Sequence, residues 1–434
     1  MTPGARLAAA IEIFETIARE RRPAADALRS WGLAHRFAGA GDRAAIAGLV
    51  YDALRHRASS AFIMGSDSAR AVLLGMLRRT RGLDTDAIAR LADGSRHAPA
   101  ALTPEERRRL AAVDLGAAPA PVAGDYPEWL EPHFARAFGE DRVQEGAALA
   151  QRAPLDLRVN TLKGERSQAA DSLADLSPRP TRWSPWGLRI VLDAEAKAPP
   201  VHAEPAFRKG LVEVQDEGSQ LAALFAAARP GEQVVDLCAG AGGKTLALAA
   251  MMQNRGQIYA TDLDKRRLVP IHERVQRAGA RNVQVRTPRQ NGRELDDLAG
   301  RVDLVLIDAP CTGTGAWRRN PDAKWRLRPG SLAQRLKEQL AILERAAPLL
   351  KPGGRIAYVT CSVLGEENEQ QVRAFLARHP DFAIIAPATV AGALGSAAAS
   401  FLEAARVGAE GLLMTPRATG TDGFYVSLIK RRAD

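Results

Sequence analysis

Three cysteines occur in 434 residues, and two of them, Cys311 and Cys361, each close a short apolar run, "VDLVLIDAPC" and "RIAYVTCS". Such runs read as strands of a parallel sheet, covered on both faces and delivering side chains to a crevice at their carboxyl ends. A lone buried cysteine is usually a small apolar filler. Two thiols at strand ends, one after Asp-Ala-Pro and one between Thr and Ser, instead predict a shared crevice and covalent chemistry on a substrate.

A further strand, "QVVDLC", runs into "AGAGGKT" and the helical "LALAAMM". Strand, glycine turn and helix N-terminus bring backbone N–H groups and the positive end of a helix dipole to a nucleotide-like cofactor. A phosphate-cradling loop needs glycine where Cys238 stands, ahead of Gly243-Lys244-Thr245. A dinucleotide fingerprint needs glycine where Thr245 stands, three positions after Gly242. A third layout places one acid at the end of the first strand, here Asp236, and another at the end of the next, here Asp262 in "IYATDLD". A carboxylate there can accept both ribose hydroxyls of an adenosine, as in S-adenosylmethionine-dependent methyltransferases. The competing reading of Asp236 is a turn cap.

Carbon 5 of a pyrimidine is too electron-poor to attack a methyl sulfonium. A thiolate added at carbon 6 makes carbon 5 nucleophilic, and the carbon 5 proton must leave before the thiol is eliminated. In chain order, "VQDEGSQL", "DLCAGAGGKT", "DAPCTGTG", "RRNPDAKWR", "TCSVLGEENE" and "TDGFYVSLIKR" resemble the motifs of RNA (cytosine-5)-methyltransferases of the Sun/Fmu (NOL1/NOP/Sun) family, from Tyr126 to Arg432. The helical N-terminus, with "DRAAIAGLVYDALRHR", resembles the NusB-like RNA-binding domain of the ribosomal RNA small subunit methyltransferase B branch.

The resemblance implies S-adenosyl-L-methionine as cofactor, RNA (ribosomal RNA foremost) as partner, Cys361 as nucleophile and Cys311 as promoter of product release. Asp308 would bond the polar edge of the cytosine, with Lys244 near the base. Cofactor contacts would come from Asp236, Cys238, Ala239, Gly240, Ala241, Gly242, Gly243, Lys244, Asp262, Asn291 and Asp308. Two positions depart from the family pattern: Asn291 replaces an aspartate and Ala241 a proline. The rival assignment, from DNA cytosine methyltransferases, makes Cys311 of Pro-Cys the attacker and Cys361 a core residue; the "TCSVLGEENE" setting counts against it.

Trp317 and Trp325, among Arg318, Arg319, Lys324 and Arg326, are either core anchors or an RNA surface, since single-stranded bases stack on aromatics while cations hold phosphates. Arg158 and Lys163 in "RVNTLK" add expected RNA contacts. Glu366 to Glu369 are expected to open a helix after the Cys361 loop, where acids are favourable, and no metal site is expected.

The elements that must position these residues fall into four stretches. Residues 1–112 carry apolar positions at helical spacing, including a start signal at Thr103, Pro104, Glu105 and Glu106. Residues 113–125, rich in proline and glycine, read as a linker. Residues 126–210 read as a small mixed α/β RNA-binding subdomain, and 211–434 as a Rossmann-like, doubly wound, mostly parallel α/β methyltransferase domain. Its strands are predicted at Gln233–Leu237, Gln257–Thr261, Val283–Val285, Val302–Asp308, Arg355–Thr360 and Phe424–Ile429. The formal charge of +10 favours a polyanion, although an arginine-rich genome biases it too, with no lysine before Lys163. No apolar run approaches the ~20 residues of a membrane span. Acidic residues interrupt the apolar N-terminus, and the cysteines are too sparse for a disulfide framework, so a cytoplasmic monomer is expected.

Overall fold

The computed structural model describes residues 1–192, 199–288 and 293–433. They form two compact units, one holding Met1–Arg152 and Trp317–Arg328, the other residues 153–192, 199–316 and 329–433.

The first unit is helical. Its opening helix, Pro3–Glu20, starts at Thr2, whose hydroxyl accepts the Ala5 N–H, and it has Pro3 in its first turn, where a missing donor is harmless. Leu7, Ala10, Ile13, Phe14 and Ile17 form its buried stripe against the helix Ala69–Thr80, which buries Val72, Leu73, Leu74, Met76 and Leu77. The predicted start at Thr103 is a capping box: Thr103 accepts the Glu106 N–H and Glu106 accepts the Thr103 N–H. The stretch read as a linker is packed. It holds a short helix, Ala120–Ala123, and ends on buried Asp125, which accepts the Ser59 N–H at 2.9 Å and the Arg79 guanidinium at 2.6 Å. Proline and glycine there specify tight turns, and a carboxylate bonded by those donors ties the segment down. The helices Glu131–Phe138 and Arg142–Leu149 complete this unit, which runs on to Arg152.

The second unit contains two sheets. Strands β1 (Leu155–Val159), β2 (Arg179–Pro180), β3 (Gly187–Ile190) and β4 (Val212–Val214) form a four-stranded antiparallel sheet in the order β2-β3-β1-β4. The larger sheet has β5 (Gln233–Asp236), β6 (Gln257–Ala260), β7 (Val283–Val285), β8 (Val302–Asp308), β9 (Leu350–Thr360), β10 (Phe382–Ile384), β11 (Arg406–Val407), β12 (Leu412–Met414) and β13 (Phe424–Arg431). Its order is β11-β12-β13-β9-β8-β5-β6-β7, with β10 also on β13. The five strands from β7 to β9 are parallel, and β13 returns antiparallel beside β9. Side chains alternate between the faces. Val234, Leu304, Leu306, Ala357 and Val359 join one core with the helices Glu217–Phe225 and Gly243–Met251. Val235, Val305, Ile307, Ile356 and Tyr358 join the other with Pro329–Ala346 and Glu369–Leu376. Both faces are therefore covered, as a doubly wound sheet requires. The short strands β10 to β12 were not expected, because antiparallel additions of two or three residues leave almost no periodic signal.

Candidate active site

Strands β5 and β8 lie side by side, yet the chain leaves β5 toward β6 and β7 on one flank and β8 toward β9 on the other. Where strand order reverses in this way, a crevice opens at the carboxyl ends. Asp236 and Asp308 end the two strands at that point.

The glycine loop follows Asp236. Gly242 has φ +84°, a conformation that suits glycine, and a methyl group there would overlap Ile271. The loop is braced from outside. Gly240 N–H donates to Asp262 Oδ2 at 3.0 Å, Arg274 to the Ala241 carbonyl at 2.7 Å, and Arg158 to the Gly243 carbonyl at 2.7 Å. Arg158 was expected on RNA, and this expectation is corrected. Its guanidinium is buried, also bonds Gln215, and burial pushes its pKa down to about 10. It is a strut of the loop. Lys163 stays exposed, with Nζ donating to the Lys209 carbonyl at 2.9 Å.

Asp236 accepts the Thr245 hydroxyl at 2.7 Å, while its other oxygen, buried, has no partner. Burial pushes its pKa up to about 7. Buried Lys244 donates to Asp308 Oδ2 at 2.7 Å and lies 5.0 Å over the Phe424 ring. Asp308 keeps 34% of its side chain exposed, so the pair opens to solvent on the carboxylate side. Asp262 also accepts the Asp264 N–H at 3.0 Å and the Arg267 guanidinium at 3.1 Å. Burial and then Asp236 raise the Cys238 thiol well above its ordinary range, so it is the inert member of the three. Asn291 lies outside the described residues.

Cys311 and Cys361 meet. Their sulfurs are 3.4 Å apart and partly exposed. β8 pairs with β9 so that Asp308 faces Val359, and the two chains then run on in step to the thiols. Gly315 N–H donates to the Cys361 carbonyl at 2.9 Å, and Gly423 N–H to the Gly315 carbonyl at 2.9 Å. A methyl at Gly315 would overlap Gly423, so only glycine lets these loops close. The hydrogen bond with Cys361, then burial, raise the Cys311 thiol pKa well above its ordinary range.

Residues the sequence reading missed lie beneath the thiols. Glu367 and Asn368, expected at a helix start, are buried; the helix begins at Glu369. Asn368 accepts the Thr360 hydroxyl at 2.6 Å and donates to the Ser362 carbonyl at 3.0 Å, and Thr314 bonds Ser362 at 3.0 Å. The polar run that begins at Glu366, just beyond the Cys361 loop, was the available signal.

The aromatic and basic segment does not face a nucleic acid as a whole; this too is a correction. Within the helical unit Trp317 is buried and stacks on Phe134 at 5.9 Å. Lys324 is wholly buried, donates to the Arg55 carbonyl at 2.9 Å, and lies over Trp317 and Trp325. Trp325 Nε1 donates to the Leu54 carbonyl at 2.6 Å, and Arg318 is buried. Arg319 is half-buried, and Arg326 is exposed, pairing with Asp322 at 3.0 Å. Among the described residues no helix is long and apolar enough to cross a membrane.

Two family models match the chain: 16S rRNA methyltransferase RsmB/F over residues 223–430, and the RsmF/B-like ferredoxin-like domain over residues 126–195. Ribosomal RNA small subunit methyltransferase B of Citrobacter koseri is 35% identical over 309 residues, covering 70% of this chain and 67% of that protein. The chain belongs to the RsmB/F family of 16S rRNA methyltransferases. The relative of the same name in Salmonella newport is 36% identical over 261 residues, 60% of this chain and 59% of its own length. The crystal structure of PH0851 superposes with a TM-score of 0.73 at 25% identity over 99% of both chains. RsmB/F proteins are S-adenosyl-L-methionine-dependent methyltransferases. The residues here fit that cofactor. The unpartnered Asp236 oxygen, Asp262 beside the glycine loop and the half-open Lys244–Asp308 pair offer acceptors and one cation at a switch point, as its hydroxyls, ammonium and carboxylate need.

Proposed function

We propose that the protein methylates carbon 5 of a cytosine in small-subunit ribosomal RNA through a covalent adduct on Cys361. The observation that carries this reading is the 3.4 Å approach of two free thiols at the mouth of the crevice that holds Lys244 and Asp308. Cys361 Sγ adds to carbon 6, and Asp308, with Lys244 bonded to it, binds the polar edge of the base and stabilises the charge that develops on the ring. The bound cofactor supplies the methyl group to carbon 5. The carbon 5 proton then passes to water acting as base, its electron pair restores the carbon 5–carbon 6 double bond, and the carbon–sulfur bond breaks to return the Cys361 thiolate, with Cys311 promoting this release. Asp236, Asp262 and residues 238–244 would hold the cofactor.

The cytosine must leave its stack to reach the thiol, so the target lies in a loop or a transiently opened helix. The NusB-like helical stretch and the 126–210 subdomain would bind the surrounding RNA, with Lys163 and Arg326 keeping exposed cations for phosphates.

The test is labelled-methyl transfer to small-subunit RNA with a denaturing gel beside it. Cys361→Ala abolishes transfer, and Cys311→Ala accumulates a covalent RNA adduct. The reverse pattern would make Cys311 the attacker and overturn the assignment. A wild-type protein that binds RNA without transfer would leave an assembly role. Bisulfite mapping of ribosomal and transfer RNA from a deletion strain names the cytosine.

A further inference from the structure

Cys311 is held from both sides by a buried pair that the proposed chemistry does not use. Gln339 Nε2 donates to the Pro310 carbonyl at 3.0 Å, just before Cys311, and to Glu367 Oε1 at 3.0 Å. Glu367 Oε1 accepts the Thr312 N–H at 2.8 Å, just after Cys311, and Oε2 accepts the Thr312 hydroxyl. Glu367 is itself wholly buried, and the Tyr358 hydroxyl anchors its carbonyl at 2.7 Å. All these partners of the side chain are donors, which is the environment of an ionised carboxylate. They are also neutral, so a negative charge is buried on hydrogen bonds alone, an arrangement that is expensive and concentrates at functional sites.

The segment carrying Glu367 follows Cys361 and reaches back to grip the segment carrying Cys311. We propose that Glu367 is the positioning residue of the two-thiol centre: it clamps the Cys311 loop against Cys361 and, as a buried charge one residue away, keeps the proton on Cys311, leaving Cys361 as the nucleophile. The direction of the Cys311 shift agrees, with Glu367 among its causes after the Cys361 contacts and burial. The inference rests on the covalent reading above, but its first test, by alkylation, does not depend on it.

The first experiment uses the full chain without RNA. Iodoacetamide alkylation between pH 6 and 10 is mapped to Cys311 and Cys361 by mass spectrometry in wild type, Glu367→Gln and Glu367→Asp. Glutamine keeps the shape and removes the charge, so the Cys311 profile is expected to move down by about one pH unit, making it roughly tenfold more reactive at a fixed pH below the midpoint. Aspartate keeps the charge, and its Cys311 profile stays within a few tenths of a unit of wild type. An unchanged Cys311 profile in the glutamine variant overturns the proposal. If that variant does not fold, Thr312→Val carries the test: it removes the hydroxyl tie, and resolution of the RNA adduct slows at least fivefold with Cys311 alkylation unchanged. Resolution at the wild-type rate overturns the clamp. Absent methyl transfer by wild type would sink the proposed function while leaving the alkylation result valid.

Discussion

Replacing Lys324 with methionine is expected to stabilise the helical unit at neutral pH and leave RNA affinity unchanged. The ammonium is wholly buried, and burial pushes its pKa down to about 7, against the attraction of Asp125. The unfolded chain therefore binds a proton that the folded chain releases between pH 7 and the ordinary lysine value. Stability rises with pH across that window, and the full penalty is present below pH 7. A gap of about 3.5 pH units at 1.36 kcal/mol each is roughly 5 kcal/mol. Methionine removes this term but leaves the Arg55 carbonyl without its donor, which costs about 1–2 kcal/mol. The net gain near pH 6.5 is thus roughly 3 kcal/mol, and it vanishes by pH 10. Calorimetric melts of variant and wild type at pH 6.5, 8 and 10 measure it, because their difference cancels the other titrating groups. An offset independent of pH refutes the burial argument. So does a fall of about one in the salt slope of RNA binding, the mark of a lost phosphate contact.

Asp236→Asn tests the acid at the switch point. A carboxyl raised to about 7 contributes stability that is present below pH 4 and lost as pH rises through 7. The variant therefore gains roughly 4 kcal/mol on wild type between pH 4 and pH 8, read from denaturant melts at both ends. Gly315→Ala is expected to cost about 1–3 kcal/mol through overlap with Gly423 and to slow formation of the Cys361 adduct by about a hundredfold, seen in single-turnover gels. Full-rate adduct formation would refute the close approach of the loops. Arg158→Ala frees the Gly243 carbonyl, weakening cofactor binding by about tenfold in titration calorimetry with no change in the RNA salt slope. A lowered slope would return Arg158 to the RNA surface.

Strands β5, β6, β8 and β9 were legible because strands covered on both faces are continuous apolar runs; β8 matches its predicted bounds residue for residue, as does the short edge strand β7. Strand β9 begins earlier than expected, at Leu350, through a "KPGG" stretch that lacks such a run. The capping box at Thr103 was equally readable, since its donors and acceptors are three residues apart. Arg158 was misread because β1 alternates like a half-solvated strand. Its polar side, Asp156 and Arg158, is instead buried, with Arg158 on the glycine loop and Asp156 accepting the Glu217 N–H. Lys324 was misread, and Trp317 was left open between core and RNA, because a basic and aromatic segment has the same composition whether it meets phosphate or the interior of a helical unit.

The sequence by itself determined the chemistry available: two thiols at strand ends, acids at the ends of β5, β6 and β8, and a glycine turn whose spacing excludes two cofactor classes. Those are properties of residue type and local spacing. Tertiary structure alone decided which groups meet. Cys311 and Cys361, 50 positions apart, come within 3.4 Å because β8 and β9 pair in parallel register and end together. Glu367 reaches Thr312 for the same reason, and Lys324, flanked by its sequence neighbours Trp317 and Trp325, loses its solvent to the Arg55 carbonyl brought from a remote helix. Burial and the pKa changes that follow it are set by the atoms that surround a group, and those come from remote segments.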